Sequence, residues 1–199
     1  MDVHITTNQK KIEIVAGPNG SGKTTFAESY FLRTQEHSVF LNPDLIASGI
    51  APLEFEKASF LAGRILISEI KSRLNKKESF SYESTLSGKT WAPFLRKAID
   101  EGYQITIYFL FLKSVQQNIA RVKKRVKMGG HPIPRASIIR RHPRCFLNFW
   151  TLYRPLCDNW FIFDNSGAKP KQIQSKIEFE CLSREKQKRF ATHFLSGKI

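Results

Sequence analysis

Gly17-Pro18-Asn19-Gly20-Ser21-Gly22-Lys23-Thr24 fills every fixed position of the phosphate-binding pattern G-x-x-x-x-G-K-S/T. The residues before it, Lys11 to Ala16, read as a short buried strand, and those after it, Thr25 to Leu32, read as the first turns of a helix. Strand, glycine-rich loop and helix in that order are the setting the pattern requires. Glycine lets the backbone curl so that successive N–H groups converge on phosphate oxygens, and the helix start adds positive partial charge. The stretch from Gly17 through Thr24, continued by Thr25, therefore predicts a site for a nucleoside triphosphate. Lys23 is expected to reach the β- and γ-phosphates, and the Thr24 hydroxyl to complete the shell of a Mg²⁺ that keeps several waters.

Working outward, short apolar strands are expected near 11–16, 37–41, 79–83, 103–112 and 159–164, alternating with helices. That is the pattern of a three-layer α/β fold with a five-stranded, mainly parallel sheet. The clearest helix runs from Phe55 to Lys76, where Phe55, Ala58, Phe60, Leu61, Ile65, Leu66 and Ile70 lie close to a period of 3.6. A second is expected from Trp91 to Glu101, closed by Gly102, and a third from a Ser114 cap to about Met128. After Pro134 helix resumes to about His142, and Pro143 is expected to interrupt or kink it before Phe146 to Tyr153. Residues from Lys169 onward read as an amphipathic helix followed by a basic, frayed tail.

A length of 199 residues with 41% hydrophobic content suits one domain with a substantial core. Three scattered cysteines, Cys145, Cys157 and Cys181, show no paired short spacing, which argues against a disulfide framework or a zinc site and for a reducing, cytoplasmic setting. No apolar run is long enough to span a bilayer, so no membrane partner is expected. Net charge is +15, and from Gly102 to Cys157 there is no Asp or Glu, while Arg121, Lys123, Lys124, Arg125, Lys127, Arg135, Arg140, Arg141 and Arg144 all fall there. Such a field attracts polyanions, whether a nucleotide, a nucleotide sugar or nucleic acid.

A phosphate loop does not by itself separate kinases from hydrolases or mechanical ATPases, so the other strand ends carry the distinction. The second strand runs into Asn42-Pro43-Asp44, where Asp44 can accept the proton of an attacking hydroxyl or simply cap the next segment. The third ends in Glu83-Ser84-Thr85-Leu86-Ser87-Gly88, with Glu83 a second carboxylate at the same rim and Ser87 a candidate helix cap. Arg121 and Arg125 share a helix face, and the Gly129-Gly130 hinge, the Pro-bounded loop and Arg140-Arg141 read as a lid over bound nucleotide. His131 beside the hinge reads more readily as a partner of a neighbouring backbone group than as an acid or base. Phe146, Phe149, Trp150 and Tyr153 fit core packing better than base stacking.

Taken together, the phosphate loop, Asn42 to Ala47, Glu83 to Gly88, the arginine helix with Gly129 to Pro134, Arg140-Arg141 with Asn148, Tyr153 to Leu156, and Asp164 to Gly167 resemble the zeta toxin family of P-loop kinases, over roughly residues 11 to 167. The resemblance implies a P-loop kinase domain over 1–167 with a lid at about 121–142, and 168–199 as a C-terminal helix and tail. It further implies an ATP- and Mg²⁺-dependent kinase whose acceptor is a small-molecule hydroxyl, with UDP-N-acetylglucosamine the acceptor of the best-known members. On that analogy Asp44 is the general base, and Lys23, Arg121 and a second lid arginine, chosen as Arg125 over Arg140 on helical phase, stabilise the transferring phosphoryl group, while Asn42, Glu83, Ser84, Thr85 and Arg140 meet the acceptor. An antitoxin is the natural protein partner. A polynucleotide or nucleoside kinase and a non-catalytic ATP-binding module are the competing readings.

Overall fold

The computed structural model describes residues 9–34, 39–51 and 55–197. Its centre is a six-stranded sheet of β1 (Lys11–Ala16), β2 (Val39–Leu41), β3 (Phe80–Ser84), β4 (Gln104–Phe111), β5 (Asn159–Asp164) and β6 (Lys171–Ser175), in the order β2-β3-β1-β4-β5-β6. The first five strands are parallel and β6 lies antiparallel to β5. One strand more than expected is therefore present, because part of the segment taken as C-terminal helix, Lys171 to Ser175, pairs along the β5 edge. The strand expected near 37–41 is described from Val39; its first two positions lie outside the described residues.

The helices are α1 (Lys23–Thr34), α2 (Pro43–Ile50), α3 (Phe55–Lys76), α4 (Trp91–Asp100), α5 (Val115–Lys127), α6 (Arg135–Asn148), α7 (Lys176–Glu180) and α8 (Arg184–Leu195). Strand alternation divides the core into two layers. Ile12 and Ile14 of β1 with Ile105, Ile107, Phe109 and Phe111 of β4 face α3, α4, α6 and α8. Val15, Tyr108 and Leu110 face the other way, against Ala27 and the aromatic rings of Phe26 and Tyr30 on α1. Successive side chains point to opposite faces, so these strands, covered on both sides, read as nearly continuous apolar runs.

Several helices differ from their sequence reading. Helix α6 runs through Pro143 unbroken. Pro143 and Ile139, the residue whose carbonyl loses its usual partner there, both lie on the exposed face. The run then widens into a π-helical turn, Phe149–Tyr153, and tightens into a short 3₁₀ turn, Arg154–Leu156. Helix α3 buries Ala58, Ala62, Leu66, Ile70 and Leu74, whereas Phe60, Leu61 and Ile65 are exposed. Small side chains at positions 58 and 62 let α2 pack close through Ala47, which sets the inward face of α3. The Phe55 side chain lies outside the described residues. Helix α8 anchors the C-terminal segment through Phe194, fully buried among Phe109, Phe146, Phe149 and Trp150. Phe146, Phe149, Trp150 and Tyr153 all belong to this core, so none offers a free face to a nucleic-acid base.

Candidate active site

The phosphate loop leaves the end of β1 and enters α1 beside the β1–β4 junction, where the chain has built β2 and β3 on one side of β1 and then crosses to the other. Ligands of open α/β sheets bind at such a switch point. Two glycines are dictated there by geometry. At Gly17, with φ +139°, a Cβ would lie 1.9 Å from the Leu110 carbonyl oxygen; at Gly22, with φ +88°, it would lie 2.4 Å from the Asn165 amide nitrogen. The loop is braced from outside by buried amides. Asn118 Nδ2 donates to the Asn19 carbonyl at 2.8 Å, and Asn165 Nδ2 donates to the Ser21 carbonyl at 2.7 Å.

At the mouth of the loop Glu83 collects three neighbours. Its Oε2 accepts from the Thr24 hydroxyl at 2.7 Å and from Asn42 Nδ2 at 3.0 Å, and its Oε1 lies 3.5 Å from Lys23 Nζ. Lys23 also donates to the Pro18 carbonyl at 3.2 Å. Asn42 holds both the end of β2 and the start of α2, since its Oδ1 caps the helix by accepting from the backbone N–H groups of Asp44 and Leu45. That cap sets Asp44 in the first turn of α2, facing the loop.

Asp44 meets a partner the sequence did not assign to it. His131 Nε2 is 3.0 Å from Asp44 Oδ2, and Arg125 Nη2 is 2.9 Å from the same ring nitrogen and 3.1 Å from the His131 carbonyl. Burial pushes the Asp44 carboxyl up, but the hydrogen bond and charge of His131, followed by the charges of Lys23 and Arg125, prevail and hold it below its ordinary value.

These groups surround one cleft of about 670 Å³, lined by Lys23, Thr24, Thr25, Asp44, Glu83, Arg121, Lys124 and Arg125 together with Asn19, Gly20 and Gly130. A second cleft of about 580 Å³ adjoins it, lined by Gly22, Thr25, Phe26, Tyr30, Arg121, Phe163, Asn165 and the 167–170 loop. Arg121 belongs to both walls, and its Nη2 donates to the Asn165 carbonyl at 2.7 Å.

Not every expected residue arrives there. Arg140 is exposed on α6 and lines neither cleft. Ser84 and Thr85 use their hydroxyls inside their own loop, Ser84 Oγ accepting from Leu86 N–H and Thr85 Oγ1 bonding Ser87 Oγ. Ser87 therefore does not cap α4, whose cap position is Thr90. In this loop Leu86 is buried with φ +52°, a conformation costing an L-residue about 1–2 kcal/mol. It is held from below, where Asn148 Nδ2 donates to the Leu86 carbonyl at 2.9 Å and the Tyr153 hydroxyl donates to the Gly88 carbonyl at 2.7 Å. A π turn brings residues five apart above one another, which aligns Asn148 and Tyr153 on the same loop. The sequence carried a signal for both, a polar group inside the largely apolar run from Phe146 to Tyr153. Asn118 carried none, being one amide in a polar helix. Cys145, Cys157 and Cys181 are free, and burial raises the Cys145 thiol to about 12, which removes it as a nucleophile at neutral pH.

No protein-family model matches the chain. A protein of Haemophilus influenzae, described only as uncharacterized, is 32% identical over 123 residues, covering 62% of this chain and 86% of its own. Among solved structures, the AvrRxo1-ORF1:ORF2 complex with ATP superposes with a TM-score of 0.69 at 16% identity, covering 96% of this chain and 65% of that one. The chain thus spans about two thirds of the length of that structure. The PezAT chromosomal toxin–antitoxin system of Streptococcus pneumoniae superposes with a TM-score of 0.64 at 13% identity, covering 96% of this chain and 87% of that one.

Proposed function

We propose, from the premise that this chain belongs to the family of the Haemophilus influenzae relative and has a zeta-toxin-like P-loop kinase fold, that it is an ATP-dependent kinase acting on a small-molecule hydroxyl. One observation carries the reading: Lys23, Thr24, Asp44, Glu83, Arg121 and Arg125 line a single cleft at the mouth of the phosphate loop. A triphosphate lying over residues 17–24 places its γ-phosphate between Asp44 and the α5 arginines, and the adjoining cleft beside Phe26, Tyr30 and Phe163 receives the base.

The acceptor oxygen attacks the γ-phosphorus as its proton passes to Asp44; the bond from the γ-phosphorus to the bridging oxygen breaks and ADP leaves. Lys23 exchanges Glu83 and the Pro18 carbonyl for phosphate oxygens. Arg121 and Arg125 oppose the charge that spreads over the transferring group. The donor set at Thr24 and Glu83 is oxygen only, which suits Mg²⁺. Among the described residues no group of three or more His, Cys, Asp or Glu is placed to hold a metal ion. Thr24 would bind it directly and Glu83 through water, and when bound it neutralises charge on the phosphate oxygens. Residues at about 121–142 act as the lid that excludes water.

Resemblance to zeta toxins makes a UDP-N-acetylglucosamine-like nucleotide sugar the first acceptor to test, and an antitoxin the first protein partner. The AvrRxo1 and PezAT structures, named as a two-protein complex and a toxin–antitoxin system, support that order of testing. Radiolabelled ATP and a panel of UDP-sugars supply the assay: label should enter a sugar nucleotide with wild-type protein, not with Lys23→Ala, and Asp44→Asn should retain ATP binding without turnover. Equal behaviour of Lys23→Ala and wild type would end the kinase reading. A nucleic-acid acceptor would rest on the charges of α5 and α6 alone, and it gains support only if oligonucleotides take the label with steeply salt-dependent binding.

A further inference from the structure

The proton bookkeeping around His131 shows a coupling that the kinase reading does not use. Asp44, when ionised, only accepts hydrogen bonds, and Arg125 only donates them. Both nevertheless lie within hydrogen-bond distance of the same nitrogen, His131 Nε2, at 3.0 and 2.9 Å. A ring nitrogen carries either a proton or a lone pair, so it satisfies one of these neighbours at a time. With a proton on Nε2 the ring grips the Asp44 carboxylate, and Arg125 retains the His131 carbonyl at 3.1 Å. With a lone pair there, the guanidinium takes the ring and Asp44 is released.

The backbone is shaped to hold this arrangement. Gly129 has φ +86°, and a Cβ at Gly130 would lie 2.6 Å from Arg125 Cγ, so the chain folds back tightly against α5 only with glycine at position 130. The His131 side chain is 16% exposed and that of Asp44 34%, so the pair is sheltered, and it is Asp44 that lines the cleft. The other charged groups lining that cleft are Lys23 from α1, Glu83 from β3, and Arg121, Lys124 and Arg125 from α5.

We propose that His131 is a positioning residue for phosphoryl transfer, joining Asp44 to the lid arginine Arg125 so that the carboxylate is oriented when the 128–134 segment is seated. This rests on Asp44 being the base. With Oδ2 held by the imidazole, Oδ1 is left to meet the acceptor hydroxyl, and loss of the ring loosens that aim. A misplaced base costs on the order of 100-fold in turnover.

The sign of the pH effect follows. A base works ionised, and His131 favours the ionised form, so removing His131 moves the Asp44 titration and the acidic limb of the rate profile to higher pH. The test uses the full chain as wild type, His131→Ala, His131→Gln and Asp44→Asn. Carbon-13 NMR follows the Asp side-chain carboxyls against pH without substrate, the Asp44 signal being the one absent from Asp44→Asn. ADP release from ATP, with UDP-N-acetylglucosamine as the acceptor probe, gives the rate profile.

Expected are an Asp44 midpoint and acidic limb displaced upward in His131→Ala, a partial return in His131→Gln, whose amide still donates, and an unchanged KM for ATP. An Asp44 midpoint that does not move in His131→Ala overturns the proposal, whatever the rates. If Asp44→Asn turns over like wild type, the assignment of Asp44 as base fails and this proposal with it. If Asp44→Asn is inactive while His131→Ala leaves the midpoint and limb in place, only the proposal about His131 fails.

Discussion

Replacing Glu83 by Gln removes one charge from the mouth of the phosphate loop while changing its shape little. Glu83 and Lys23 face each other at 3.5 Å with side chains 8% and 6% exposed. At an effective dielectric of about 20 their attraction is about 5 kcal/mol before desolvation, and removing one partner of a buried pair costs about 3–5 kcal/mol. Both hydrogen bonds to Oε2 come from donors, Thr24 and Asn42, and the amide oxygen of Gln can accept both. The loss therefore falls on Lys23, left with the Pro18 carbonyl and an amide N–H₂ that repels it, and the low end, about 3 kcal/mol, is expected. In a chain of this length that lowers Tm by about 6–12 °C. A triphosphate then supplies the missing counter-charge, whereas in the wild type it must first displace Glu83 from Lys23. Scanning calorimetry with ATP titrated in the presence of EDTA should show a larger rise in Tm for Glu83→Gln than for wild type. Equal increments in the two proteins would refute the view that carboxylate and phosphate compete for Lys23.

Phe194→Ala removes a fully buried ring packed edge-on or tilted among four core aromatics and should cost about 3–5 kcal/mol in urea unfolding; a loss below about 1 kcal/mol would mean that α8 is not part of the core. Tyr153→Phe deletes the donor to the Gly88 carbonyl, with an expected loss of about 1 kcal/mol and faster amide exchange confined to residues 86–88. Exchange that accelerates everywhere equally would argue against a local role. Because the folded Asp44 carboxyl lies below its ordinary value of 3.8, its contribution to stability is complete above that pH and is lost as pH falls toward the folded value. Urea midpoints measured from pH 5 downward should therefore fall less steeply for Asp44→Asn than for wild type.

The parts of the fold legible in the sequence were those governed by neighbours along the chain. β1, the loop and α1 followed from a short apolar run and glycine spacing, and Ser114 caps α5 as its position suggested. Pro143 does not interrupt its helix, and whether a proline does so depends on which face of the helix meets water, which spacing along the chain does not record. On α3 the apolar period correctly included Ala58, Leu66 and Ile70, but Phe60, Leu61 and Ile65 stay exposed because the small Ala58 and Ala62 are what meet the neighbouring helix. β6 was missed because strand pairing at an edge depends on where β5 lies, and no local pattern in Lys171 to Ser175 records that.

By itself the sequence determined that a phosphate-binding loop opens a helix after a buried strand, since backbone freedom at glycine and a short apolar run are local properties. Only the tertiary structure decided what surrounds that loop. Thr24 and Glu83, 59 residues apart, share a hydrogen bond because parallel pairing of β1 and β3 brings their ends level. His131 reaches Asp44 because a glycine hinge folds the chain back over Arg125, so that charge and hydrogen-bond distance, rather than spacing along the chain, select the partners.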